Sequence, residues 1–263
     1  EANEGAIKLA YKYHNGKRKY ILHSNISFHG KLLGTGSISS SPEVKFKFPG
    51  LTNTEQFNWN DIEDLKNKIE NYKNKDGDSD IYAIIIEPFS ASSLLECSEN
   101  FLRDVRSICS KNEIILIFDE IYTGWGKTGE FFYFMQYKDL VPDILTMSKS
   151  FGGGKSSISC FTTTKKIFEK AYGVLTDSTI HSTTYNAFGE ESVTALEAIN
   201  IAVEENYPYK AKIVGEKIFE NLNRQNSDLN QSISNIAKLG DDFEKIVQPT
   251  YQWRKRREIQ IRT

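Results

Sequence analysis

The chain is poor in cysteine. Its three, Cys97, Cys109 and Cys160, are odd in number and far apart, which argues against a disulfide framework and against the paired spacing of a zinc site. This usage suits a reducing compartment, and on that ground alone the protein is read as cytoplasmic. Long apolar runs are also missing. No stretch approaches the ~18 apolar residues of a membrane-spanning helix, and the first residues do not form a signal peptide. Nor is there an excess of charge of one sign: 33 basic against 35 acidic side chains leave a net charge of −2, so no global field favours nucleic acid or an anionic membrane. The one dense basic cluster, Arg254 to Arg257, lacks any aromatic or motif context and reads as a solvated tail. What is present suffices for one substantial core, since 263 residues are 39% hydrophobic and 12% aromatic.

Periodicity orders the chain. Residues 2 to 13 read as a helix with Ala6, Ile7, Leu9, Ala10 and Tyr13 apolar, beginning without a capping side chain, which suggests a native chain that starts earlier. Residues 19 to 23 predict a short strand. Phe28-His29-Gly30 predicts a turn, the Gly and Ser residues from 34 to 41 irregular structure, and Val44 to Phe48 a strand. A helix is expected over 61–72. Two continuous apolar runs follow, Tyr82 to Ile86 ending in Glu87 and Ile114 to Phe118 ending in Asp119, with a helix over 99–111 between them. Further strands are expected over 144–147 and 158–162, and helices over 190–205 and 210–223. Fully apolar strands alternating with helices imply an α/β fold, a mostly parallel central sheet with helices on both faces.

Ligands of such sheets sit at the carboxyl ends of the strands, where Glu87, Asp119 and Lys149 all fall. Two cofactors are conceivable there. IILIFDE and GGGKSS resemble the acidic strand and phosphate loop of a nucleotide-binding ATPase. The order is reversed, however, and Lys149 stands where the loop's first glycine is required. Pyridoxal phosphate fits better. Its chemistry needs an amine to hold an aldehyde and a carboxylate against a pyridine nitrogen, and Lys149 and Asp119 supply that pair. In a dry pocket Lys149 would gain nucleophilicity, while Gly152, Gly153 and Gly154 would let backbone approach the cofactor.

FDEIYTGWGKTGEFF and PDILTMSKSFGGG resemble two long, ordered segments of the class III (omega-type) pyridoxal-phosphate-dependent aminotransferases. EANEGAIKLAYKY, SFHGKLLG, IIIEP and HSTTYNAFGEESVTALEAI resemble further segments of that family, in the same order. The resemblance runs from residue 1 to about 225 and fades by residue 240. It implies a fold-type I large domain over residues 1–225, with 226–263 a tail or the start of a C-terminal lobe. It also implies pyridoxal 5′-phosphate as cofactor, no metal, and a homodimer whose two subunits share the site. Lys149 then corresponds to the Schiff-base lysine and proton shuttle, and Asp119 to the partner of the pyridine nitrogen. Ile121 and Phe28 would cover the two ring faces. Tyr122 would touch the ring oxygen, Glu87 would lie on the substrate side, and Thr184 would reach the cofactor phosphate of the neighbouring subunit. His29 reads equally as a site residue or as a turn histidine bonded to backbone.

The sequence departs from the family at several points. Tyr122 replaces a glutamine, and Phe89-Ser90-Ala91-Ser92 replaces the usual Gln-Gly-Glu after Glu-Pro, which leaves the amino donor open. The phosphate cup is expected before Glu1 and the C-terminal lobe after residue 240, so the chain reads as a fragment. The implied activity is transfer of an amino group from an amine or amino acid to a keto acid or aldehyde. An aminomutase or decarboxylase of the same family is the nearest alternative, and an inactive fragment or interaction module the alternative of a different class.

Overall fold

The computed structural model describes residues 1–41, 48–177, 179–186 and 188–237, with side chains as far as residue 228. The chain divides into a unit of residues 1–211 and a second of residues 212–263. The first unit begins with α1 (Ala2–Tyr13), β1 (Tyr20–Ser24), a short α2 (Leu33–Ser37), β2 (Thr54–Phe57), α3 (Ile62–Asn71) and β3 (Ile81–Ile86). A small hairpin of β4 (Phe89–Ser90) and β5 (Leu95–Glu96) precedes α4 (Glu99–Lys111), β6 (Ile115–Asp119), β7 (Ile144–Met147) and β8 (Cys160–Thr163). Then come α5 (Lys165–Tyr172), α6 (Gly189–Glu204) and α7 (Tyr207–Ala237), the last running on into the second unit.

Six strands form one sheet in the order β2-β1-β3-β6-β7-β8. Every pairing is parallel except β7 with β8. Side chains alternate across a strand, and here the alternation fills two cores. Leu22, Ile84, Ile86, Leu116 and Phe118 face Leu65 and Ile69 of α3 and Phe101, Leu102 and Val105 of α4. Ile21, Ala83, Ile85, Ile115 and Ile117 face Ala6, Ile7 and Leu9 of α1 and Ile167 and Ala171 of α5. A sheet covered on both faces is why β3 reads IYAIII without a polar break. Helix starts obey local chemistry: Asp61, Ser98 and Thr164 cap α3, α4 and α5, each accepting from the amide three residues on.

The expected strand over 44–48 lies, apart from Phe48, outside the described residues. Among the described strands, the one next to β1 at the end of the sheet is β2, whose Thr54, Glu55 and Gln56 are only partly buried, as suits an edge position. The Gly and Ser stretch after residue 33 contains the short helix α2. Its amide end is held by Glu4 of α1, which accepts from Thr35 N at 2.8 Å. Helix α5 had a legible signal, since Thr164 caps it and Ile167 and Ala171 share its buried face.

Candidate active site

Strands β3, β6 and β7 lie side by side and parallel, so the residues following them gather at one end of the sheet. At the end of β6 stands Asp119, 4% exposed. A carboxylate buried this deeply needs donors, and it has them from four parts of the chain. Oδ2 accepts from Asn3 Nδ2 on α1 at 2.7 Å and from His29 Nδ1 at 2.8 Å. Oδ1 accepts from the Ile121 amide at 3.1 Å and from Thr146 Oγ1 on β7 at 3.5 Å. His29 thus bonds a side chain through its ring, not the backbone, and Asn3 Nδ2 also donates to the His29 carbonyl at 2.8 Å.

At the end of β3, Glu87 is likewise buried. Its oxygens accept from the amides of Phe28 at 2.8 Å and Ala91 at 3.2 Å, so it clamps the Phe28 turn to the strand end. Burial pushes its carboxyl above the usual carboxylate range; Asp119 adds to this, and His29 and the two amides oppose it.

Lys149 is different. After β7 the backbone turns at Ser148 into a single 3-10 turn, Lys149–Gly152, in which Lys149 takes a left-handed φ of +50°. Its side chain is exposed on this chain, not enclosed in the dry pocket expected of it. Its Nζ lies 5.4 Å from the centroid of the Tyr122 ring. Lys127 Nζ lies 5.0 Å from the same ring and donates to the Tyr122 carbonyl. Burial, and then the charge of Lys149, push the Lys127 ammonium below its usual range. The glycine run also has another reason than cofactor access. Gly153 adopts φ +62°, and a Cβ there would stand 2.8 Å from Ala198 Cβ, so the run lets the Lys149 turn pack against α6.

A cavity of about 960 Å³ lies beside this turn, lined by Trp125, Lys149, Phe151, Gly153, Ala198 and Tyr207 among others. Asp119, His29 and Glu87 are not in its wall, so this cavity touches the candidate site only through Lys149. Phe28 and Ile121 are half-buried next to His29 and Asp119. Thr184 is exposed, and among the described residues it bonds neither Asp119 nor Lys149. No group of three or more His, Cys, Asp or Glu among the described residues is placed to hold a metal ion, and no described helix is long and apolar enough to cross a membrane.

Asn3 and Glu120 were not singled out from the sequence. Asn3 sits in the apolar stripe of α1 with Ala6, Ile7 and Ala10, and a polar residue on such a stripe is itself a signal. Glu120 was hidden by its neighbour Asp119.

The donor set fits a pyridine aldehyde. Asp119 Oδ1 has only its two longer contacts, which leaves it room for a further donor. Asn3 Oδ1 and His29 Nε2, both buried, have no partner within the described chain. A primary amine, that of Lys149, follows the neighbouring strand.

Comparison with known proteins agrees. The family model described as Aminotransferase class-III matches residues 1–243. A putrescine aminotransferase of Pectobacterium atrosepticum is 31% identical over 243 residues, covering 91% of this chain and 51% of its own length. Among solved structures, a transaminase from the marine bacterium Virgibacillus superposes with a TM-score of 0.77 at 24% identity, over 86% of this chain and 53% of that one. An (S)-enantioselective omega-transaminase from Thermomicrobium roseum gives the same score and identity over 86% and 54%. The chain therefore spans about half the length of the relatives it matches.

Proposed function

Since the chain belongs to the class-III aminotransferase family, we propose that it forms the large domain, over residues 1–225, of a pyridoxal 5′-phosphate-dependent aminotransferase. The whole protein moves an amino group from an amine or amino acid to a keto acid or aldehyde. The observation that carries this reading is the pairing of a buried, multiply bonded Asp119 with a primary amine just past the end of the adjacent strand, Asp119 being in register with Thr146.

When bound, the cofactor supplies an aldehyde for amines to condense with and an electron-withdrawing ring. Lys149 Nζ would be the amine that holds it, and as a free amine the base that would move the proton at the substrate carbon. Asn3 and His29 fix Asp119 Oδ2 so that the carboxylate cannot rotate away, and Asp119 would be the residue that holds the ring nitrogen. Phe28 and Ile121 would cover the ring and exclude water, and Glu87 steadies Phe28 through its amide. The Tyr122 hydroxyl would be a hydrogen-bond donor for the ring's oxygen.

Thr184 would help to hold the phosphate in a partner subunit, which makes the working unit of this reading a homodimer. Large rings bared just after it in the chain, Tyr185 at 77% and Phe188 at 47% exposure, support a covered surface here. The buried free thiols of Cys97 and Cys109 accord with a cytoplasmic protein.

The test is optical. Wild-type protein mixed with pyridoxal phosphate is expected to develop imine absorbance on the order of 410–430 nm, a property of the cofactor. Lys149→Ala should abolish it, and an unchanged band in that variant overturns the assignment.

A further inference from the structure

Glu120 lies between Asp119 and Ile121, yet it points away from both roles given above. It is fully buried at 0% exposure, and its carboxylate gathers three donors from one loop. Oε2 accepts from the Tyr133 amide at 2.5 Å and Thr123 Oγ1 at 3.0 Å, and Oε1 from the Phe134 amide at 2.9 Å. Its backbone is pinned as well: the amide donates to Thr146 O of β7 at 3.1 Å, and the carbonyl accepts from Gly124 N at 2.9 Å. The loop is then closed again by Trp125 N donating to Phe131 O at 2.6 Å.

Held in this shape, residues 121–134 present two rings to the turn that carries Lys149. The Trp125 ring stacks on Phe151 with centroids 5.2 Å apart and planes 15° from parallel. Phe151 belongs to the same 3-10 turn as Lys149. The second ring is Tyr122, 5.4 Å from Lys149 Nζ. Among the described residues that amine makes no hydrogen bond or ion pair; its ring neighbour is Tyr122, and Trp125 meets its turn through Phe151.

We infer that Glu120 is a positioning residue for Lys149, holding the loop whose Tyr122 and Trp125 set the direction of the lysine turn. The inference rests on the role given to Lys149 under the proposed function. It explains why an acid is kept where burial is costly. Three donors converge on two oxygens, and a glutamine would turn an NH2 group toward one of them. Desolvation pushes the carboxyl up to about 7 against the pull of these three donors. Asp119, on the same strand end, adds to the rise. From the loop packed against it, the Tyr133 hydroxyl is turned to Glu96 and meets another group; from β7 the facing residue is the uncharged Thr146.

The experiment uses a chain with Trp59 and Trp253 replaced by phenylalanine, leaving Trp125 as the sole tryptophan. Its emission is followed across the neutral pH range without cofactor, in the parent, Glu120→Gln and Glu120→Asp. In parallel, labelling of Lys149 by pyridoxal phosphate and borohydride is timed by peptide mass spectrometry, under conditions where far-ultraviolet circular dichroism matches the parent. The parent should show an emission change centred near neutral pH that Glu120→Gln lacks. Labelling in Glu120→Gln should slow by about five- to tenfold, with Glu120→Asp between the two. A Glu120→Gln or Glu120→Asp protein that is folded, yet has parental emission and parental labelling, overturns the inference; a purely structural acid would change only the melting temperature. Failure of the parent itself to label Lys149 selectively would instead sink the cofactor reading, while the Trp125 signal still decides whether Glu120 holds the loop.

Discussion

Asp119 and Lys149 follow neighbouring strands of one sheet, yet the first is buried among four hydrogen bonds and the second is exposed, with none among the described residues. The contrast follows from what each group needs. A carboxylate in the interior must be satisfied by the chain that buries it, so α1, the Phe28 turn and β7 all converge on Asp119. On the function proposed above the amine changes partners during a reaction, a task that being tied down by the fold would prevent. It is aimed by rings and by a strained turn instead. The acid half is therefore complete within this chain, and the amine half takes its direction at second hand.

The sharpest way to break the comparison is to remove each group in turn. Asp119→Ala leaves one Asn3 N–H and the His29 ring donor unpaired in the interior and should destabilise the fold by about 3–5 kcal/mol in urea unfolding. Lys149→Ala should change stability by no more than about 0.5 kcal/mol. Equal losses would show that the amine half is also built into the fold.

A second test uses pH. Burial pushes Glu120 from 4.5 up to about 7, so the folded chain binds this proton more tightly than the unfolded one. Its contribution to stability is fullest below pH 4.5 and falls as pH rises to about 7, by roughly 3 kcal/mol. His14, at the other end of the sheet, works the opposite way. Burial, with Arg18 and Lys170, lowers it from 6.5 to about 4, so stability rises as pH climbs through that window. The two slopes oppose each other between pH 4.5 and 6.5. Denaturation midpoints measured across this range should fall more steeply in His14→Asn than in wild type and rise in Glu120→Gln. Parallel curves for all three would sink this account.

The smallest expected effects sharpen the amine side. Gly153→Ala meets both a left-handed φ of +62° and Ala198 Cβ at 2.8 Å, and should cost about 2 kcal/mol. Gly154→Ala meets only its φ of +74°, with nothing within 4 Å, and should cost about 1 kcal/mol. Measured against Ala198→Gly alone, which carries its own helix cost, adding Gly153→Ala should cost no more than Gly154→Ala does. Thermal unfolding of the four proteins checks this, and no recovery in the double variant would deny that α6 packing requires the glycine.

Much of this architecture is legible in residue order. Strands β3, β6 and β7 and helices α1, α3 and α4 lie where apolar runs and periodicity place them, because burial on both faces or on one stripe writes itself into the pattern. Edge strand β2 is not legible, since a half-exposed strand of Thr, Glu and Gln carries no alternation to read. Asp119 and Lys149 stand out by chemical type at strand ends. Glu120 stands out no more than any acid beside another, and the shared hold of Asn3 and His29 on Asp119 joins residues 116 and 90 positions apart.

The sequence alone thus determined the parallel α/β sheet, the strand ends where chemistry gathers, and the acid and the amine themselves, because each depends on local pattern or residue type. Tertiary structure alone decided that Glu87 clamps a turn, that Gly153 makes room for a helix, and that Glu120 organises a loop. Those roles are set by which donors and atoms converge from distant parts of the chain, and convergence has no period in a sequence.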